Sequence, residues 1–304
     1  MNNKKIVTAY LGLIFMASII GLSFIFVKIG LQYGSALDLL AYRFTMAFFS
    51  IVIFWVSGVI KIPQINVKKI KQLVILSLFY PVFFFLFQTY GMESSSVTEA
   101  GIIFAMSPIV TLVSAQIFLK EQTSWLQKCG IGLSVLGILY IVLHKNNFAG
   151  NIQSIEGILL LFLSIFSFAG YIVAGKKSKI VLTPMEITVW MTVIAFVVFN
   201  IWNFCDHLYQ HNLETFFQPM THINFIWSTL YLGVLSTVVT SFFSNYSLPL
   251  IPASQIAVLG NLSPIFAIIS GILLLDEHLF SYQIIGGFFV LIGIAITLFC
   301  QSKE

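Results

Sequence analysis

The chain has 304 residues, of which 9% are charged and 59% are Ala, Val, Ile, Leu, Met, Phe, Trp, Tyr or Cys, with a formal net charge of +4. Soluble domains carry about 25% charged residues. The shortfall, with a mean hydropathy of +0.99, excludes a soluble enzyme, a disordered chain and a disulfide scaffold, and it places the protein in a bilayer.

A spanning helix needs about 20 apolar residues to cross a hydrocarbon core of about 30 Å. Ten runs qualify, near residues 7–27, 38–60, 72–92, 97–119, 126–143, 155–175, 184–204, 225–246, 252–275 and 281–300. The first is too long for a signal-peptide core and has no small-residue cleavage site after it, so it reads as a permanent span. It ends at Lys28, and the second run holds Arg43. The third carries Tyr80, the Phe83–Phe85 run and Gln88; the fourth carries Glu99 and Pro108. Tyr171 lies in the sixth, Thr240 and Asn245 in the eighth, and Gln255, Asn261 and Pro264 in the ninth. The five histidines fall between the runs, three of them (His207, His211 and His222) in the segment 205–224 at irregular spacing. No metal site is expected there. Cys129, Cys205 and Cys300 are far apart and read as apolar fillers.

Basic residues orient the spans. With a cytoplasmic N-terminus the inner side holds Lys4, Lys5, Lys61, Lys68, Lys69, Lys71, Lys120, Lys128, Lys176, Lys177, Lys179 and Lys303, against Lys28 and Lys145 outside. Both termini are therefore expected in the cytoplasm of a multi-pass protein of the cell membrane. The same sorting argues against a nucleic-acid partner, because the cations follow topology instead of forming a patch.

The chain also repeats itself. At an offset of 156 residues Tyr90 meets Tyr246, Ser107-Pro108 meets Ser263-Pro264, Glu121 meets Glu277, Gln127 meets Gln283, and Gly130 and Gly137 meet Gly286 and Gly293. Five spans is an odd number, so the second copy enters the membrane from the opposite side. The expected architecture is all-α and integral to the membrane: ten transmembrane helices as two inverted five-helix repeats, residues 1–148 and 149–304. Inverted repeats recur in secondary transporters, where two related halves rock about a midplane site.

These features resemble the drug/metabolite transporter superfamily, in its EamA-type branch of ten-helix proteins. The resemblance is carried by Gly21-x-x-Phe24-x-x-x-Lys28, by Arg43-Phe44, and by Ser107-Pro108 with Glu121 and Ser263-Pro264 with Glu277. Ile20 departs from the Trp that many members hold before the glycine of the first helix. The resemblance implies transport, and an exporter of amino acids or related small metabolites is the expected function. An integral-membrane enzyme or a channel is the alternative. No phosphate-binding Gly-x-x-x-x-Gly-Lys-Ser/Thr loop occurs, so no nucleotide drives the process and no cofactor is expected.

Candidate substrate contacts are Phe24, Tyr80, Gln88, Tyr171, Thr240, Asn245, Gln255 and Asn261, since polar groups within spans face the protein interior. Candidate gating or coupling residues are Lys28, Arg43, Glu99, Pro108 and Pro264. Arg43 needs a partner, for which Asp38 and Glu99 are at hand; Glu99 is the proton-coupling candidate by elimination, no His or Asp lying deep in a run. The prolines are expected to loosen their helices. The partners so implied are a small-molecule substrate and the lipid bilayer. Cysteine-accessibility labelling checks the topology: a Cys at Gln64 is expected to stay protected in intact cells and residues 205–224 to label, and external labelling at position 64 overturns the inverted repeat.

Overall fold

The computed structural model describes residues 3–60, 67–120, 124–149, 153–177, 184–247, 250, 259–260 and 262–299, and every regular element among them is helical. The helices are α1 (Asn3–Gly30), α2 (Ala36–Val56), α3 (Val67–Ser77), α4 (Phe84–Glu93), α5 (Val97–Phe104), α6 (Ser107–Leu119), α7 (Trp125–Ala149), α8 (Gln153–Lys177) and α9 (Pro184–Tyr209). They continue as α10 (Ile223–Leu230), α11 (Thr240–Ser247), α12 (Ser263–Leu275) and α13 (Ser281–Phe299). Wide π-helical turns, Leu78–Phe83 and Tyr231–Val239, join α3 to α4 and α10 to α11.

Among the described residues seven segments are long and apolar enough to span a membrane, from Ile6–Gly30 to Met185–Tyr209. An eighth is a bent pair that includes Ile223–Val239, and Ser263–Leu275 and Ser281–Thr297 are shorter apolar helices. The ten expected runs thus all meet helix, but residues 252–258 and 261 of the ninth lie outside the described residues. Large apolar side chains such as Leu11, Ile53, Leu136, Leu159 and Phe288 point outward, as lipid-facing positions require.

Among the described residues α3–α4 and α5–α6 are broken, for local reasons. In α3–α4 the backbone leaves the helical region at Tyr80 (φ −142°, ψ 120°), ahead of Pro81, which cannot donate to the helix. In α5–α6 the break falls at Ala105–Met106, and Pro108 sits in the first turn of the new helix, where a missing N–H costs nothing. Pro264 has the same place in α12. The prolines therefore start helices instead of kinking them, a correction to the expectation from sequence.

The repeat persists in the backbone at the same offset. α6 and α12 are each 13 residues long and stop at a left-handed residue, Lys120 (φ 59°) and Asp276 (φ 50°). In the first turns of α7 and α13, Gln127 and Gln283 turn their side-chain oxygens back to accept from the N–H groups of Ser124 (2.8 Å) and Phe280 (3.0 Å). These two helices pack on each other along their length. Their crossing is backbone on backbone: a Cβ at Gly137 would lie 2.6 Å from the Gly286 carbonyl oxygen, and one at Gly130 would lie 2.6 Å from that of Gly293. Small residues that let helices approach this closely are a common device of membrane packing.

Gly286→Leu is expected to force α7 and α13 apart, costing about 1–3 kcal/mol as overpacking does. Gly132→Ala, where a new Cβ meets nothing within 4 Å, is expected to cost nothing and to add up to about 1 kcal/mol by helix propensity. Melting curves of the two purified variants check the contrast.

Candidate functional site

Among the described residues one cation lies more than a turn inside a span. Arg43 is about two turns, roughly 10 Å, from the start of α2, and only 2% of its surface is exposed. Its guanidinium carbon lies 3.9 Å from the centre of the Phe85 ring and 5.7 Å from that of Phe44. Its Nε has no hydrogen-bond partner, and among the described residues no carboxylate forms an ion pair with it. A charge within a span costs about 2.5–3.5 kcal/mol on insertion scales, and a cation over an aromatic face recovers about 0.5–2 kcal/mol. The ring face alone leaves the charge undercompensated.

The rings around Phe85 form a continuous cluster. Tyr80 packs against Phe84 (5.1 Å), Phe85 (5.5 Å), Tyr171 (5.5 Å) and Phe168 (5.6 Å). Phe84 continues to Phe104 (5.9 Å), and Phe104 to Phe24 (5.0 Å). Five spans contribute: α1, α2, α3–α4, α5 and α8. The break at Tyr80 takes that residue off the helical path between Arg43's ring partners and α8. Gln88 follows Phe85 by three residues on α4, so the two share a face; it is 4% exposed and its Oε1 has no partner. The structure thus brings Phe24, Tyr80, Tyr171 and Arg43 into one connected cluster and leaves Gln88 a turn away.

The partners expected for Arg43 are engaged elsewhere. Asp38 and Ser35 cap the start of α2, and Asp38 accepts hydrogen bonds from Ser35 N (3.0 Å) and Ser35 Oγ (2.9 Å) through Oδ2. Its other oxygen lies 2.9 Å from His207 Nε2 and accepts from Asn203 Nδ2 at 3.1 Å. His207 Nδ1 lies 2.9 Å from Asn212 Oδ1. These groups stand at a polar recess of about 220 Å³, also lined by Tyr33, Asp206 and Gln210. Glu99 closes a capping box with Ser96 at the start of α5 and accepts from Gln283 Nε2 at 3.3 Å. Lys28 donates to the carbonyl oxygens of Met92 (2.9 Å) and Ser95 (2.8 Å), where a cation suits the exposed C-terminus of α4.

Two expectations fall here. Arg43 is not paired with Asp38 or Glu99. His207 does not lie between helices: α9 runs to Tyr209 and carries it in its last turn, 6% exposed and bonded to a buried Asp. The apolar-run reading ends that span near residue 204, whereas the helix continues for more than a turn and carries Asp206 and His207. Glu277 caps a helix of another span: it accepts from Val97 N and Thr98 N, both at 2.8 Å, at the start of α5.

The remaining candidates separate. The Thr240 hydroxyl donates to the Ser236 carbonyl at 2.8 Å within its own helix. Gln255 and Asn261 lie outside the described residues, as does the side chain of Asn245. Pro108 and Pro264 mark the two helix starts, and α12 is reached by the motif glycine of α1: a Cβ at Gly21 would lie 2.5 Å from the Ser263 carbonyl oxygen. Among the described residues no group of three His, Cys, Asp or Glu could hold a metal ion.

Known proteins share this plan. The family model of the EamA-like transporter family matches residues 7–143 and 155–299. The uncharacterised transporter YcxC of Bacillus subtilis is 40% identical over 94% of this chain and 91% of its own length. A probable amino-acid metabolite efflux pump of Escherichia coli is 26% identical over 92% of this chain and 91% of its own length. A solved crystal structure shares the fold at a TM-score of 0.61 and 14% identity, with 95% of this chain and 96% of that one covered. With its family model matched along nearly all of its length, the chain belongs to the EamA-like transporters.

Proposed function

We propose that the protein exports amino acids or related small metabolites by alternating access, without ATP, around a cavity at the membrane midplane between residues 1–148 and 149–304. The carrying observation is the pair of matched helix starts. Ser107-Pro108 and Ser263-Pro264 open helices of equal length, each closed by a left-handed residue. A span broken in its middle has two rigid arms and a joint, and two such spans related by inversion give each half the same joint on opposite sides. Two relatives are named as probable amino-acid metabolite efflux pumps, which supports the substrate class. The aromatic cluster with few charges suits a small amphipathic molecule better than a multiply charged anion.

The route for protons, in this reading, runs through the end of the bundle that carries Asp38, expected to face outward. Glu99 and the Asp38–His207 pair are the buried ionisable groups there. Glu99→Gln is expected to abolish pH-driven accumulation while counterflow continues; loss of accumulation in Asp38→Asn alone would assign the coupling to the pair instead.

Proteoliposomes loaded with a mixture of amino acids test the function itself. Saturable uptake of labelled amino acid against the loaded pool is expected, and a flux linear in concentration rules out a carrier. Pro108→Ala and Pro264→Ala are expected to lower that rate more than they lower the yield of folded protein. Unchanged kinetics in the double variant would reduce both prolines to packing.

A further inference from the structure

Arg43 is the one cationic side chain among the described residues that lies more than a turn inside a span. Its usual compensators are all spoken for. Asp38 serves Ser35, Asn203 and His207, and Glu99 serves Ser96 and Gln283. What faces the guanidinium is aromatic: Phe85 at 3.9 Å, with Tyr80 packed against the same ring at 5.5 Å. A guanidinium held on a ring face keeps its in-plane N–H groups directed outward at the ring's edge, and here Nε is without an acceptor. Gln88, one turn along the same face of α4, adds a buried oxygen without a donor. An orphaned donor and an orphaned acceptor beside an aromatic wall are complementary to one kind of occupant: a molecule with a carboxylate, a hydrogen-bond donor and an apolar body.

We propose that Arg43 is the anchor for the carboxylate of the transported metabolite, with the Phe85, Tyr80 and Tyr171 rings taking its apolar body and Gln88 Oε1 its amino or hydroxyl group. A planar guanidinium matches a carboxylate with two parallel hydrogen bonds. A single buried cation balances a single negative charge, so phosphorylated metabolites are excluded from the class. The empty carrier holds an uncompensated charge that a bound carboxylate neutralises, so occupancy stabilises the bundle. This deepens the transport reading and uses it in only one arm of the test.

The test pairs acids with amides of the same body: leucine with leucinamide, and 3-phenylpropionate with 3-phenylpropionamide. Each is measured twice, as thermal stabilisation of the purified wild-type protein and as competition with labelled leucine in counterflow. The acids are expected to act at concentrations at least tenfold below their amides in both. Arg43→Gln is expected to abolish that preference, and Arg43→Lys, which keeps the charge but not the fork, to retain part of it. The wild-type comparison stands even where a variant fails to fold. Equal potency of acid and amide, or no effect of either acid on the melting temperature, overturns the anchor. Stabilisation by the acids without counterflow keeps the anchor and removes the transport function; counterflow blind to the carboxylate does the reverse.

Discussion

Lipid offers no hydrogen bonds, so every helix end inside or near the hydrocarbon must be closed by the protein itself. This constraint organises the bundle. Several helix ends at the Asp38 end meet a side chain from a different span. Lys28 of α1 reaches the last carbonyls of α4, and the Glu277 carboxylate after α12 covers the first amides of α5. Gln283 of α13 reaches Glu99 of the same α5 start, and Asp38 of α2 holds His207 and Asn203 of α9. Spans that would otherwise slide past each other in lipid are pinned by polar contacts at their tips. The middles, packed by rings and small residues, are left comparatively free of such pins.

That division explains why charged residues read from sequence as site candidates turn out to differ so much. Lys28, Asp38 and Glu277 spend their charge on helix ends, where a macrodipole and orphaned backbone groups reward it. Glu99 does the same through its capping box, yet it also faces a small apolar gap among Ile102, Ile138, Ile141 and Ile158, which keeps water from it. Arg43 alone sits where no helix ends. Its surroundings are rings, and rings compensate a cation only in part.

The architecture was largely legible in the sequence because hydropathy and spacing are one-dimensional signals. The run of apolar residues marked nearly every helix, and the offset shared by the two Ser-Pro pairs located two helix starts. What those prolines do was misread: a proline in a span suggests a kink, but after a break its missing N–H belongs to the first turn. The break at Tyr80 was likewise signalled by Pro81 and passed over within an aromatic run. The failures at Arg43 and His207 have one physical root. Ion pairing depends on which helix tips meet, and that is set by packing of α2 against α9, which no linear spacing encodes. Gln88 and Tyr171 were found because a polar atom in an apolar span must face protein; Phe85 was found only as part of a run, since nothing in sequence says which of three phenylalanines lies under a guanidinium.

The matched halves add a further step. α7 and α13 meet through the glycines that the offset relates, each set against the other's counterpart: Gly130 against Gly293 and Gly137 against Gly286. An interface built from backbone has little room to slide, so these helices act together as a fixed strut. In the proposed cycle the joints would lie elsewhere, at Ala105–Met106 and in the π-helical turns of α3–α4 and α10–α11. A wide turn leaves the backbone less tightly bonded than an α-helix, and such turns concentrate at functional positions. Movement confined to those joints would leave the strut and the pinned tips in place while changing the space between the arms. The aromatic cluster is strung along two of these joints, with Tyr80 at one and Phe104 beside the other, so any bending of α3–α4 or α5–α6 necessarily rearranges the rings around Arg43.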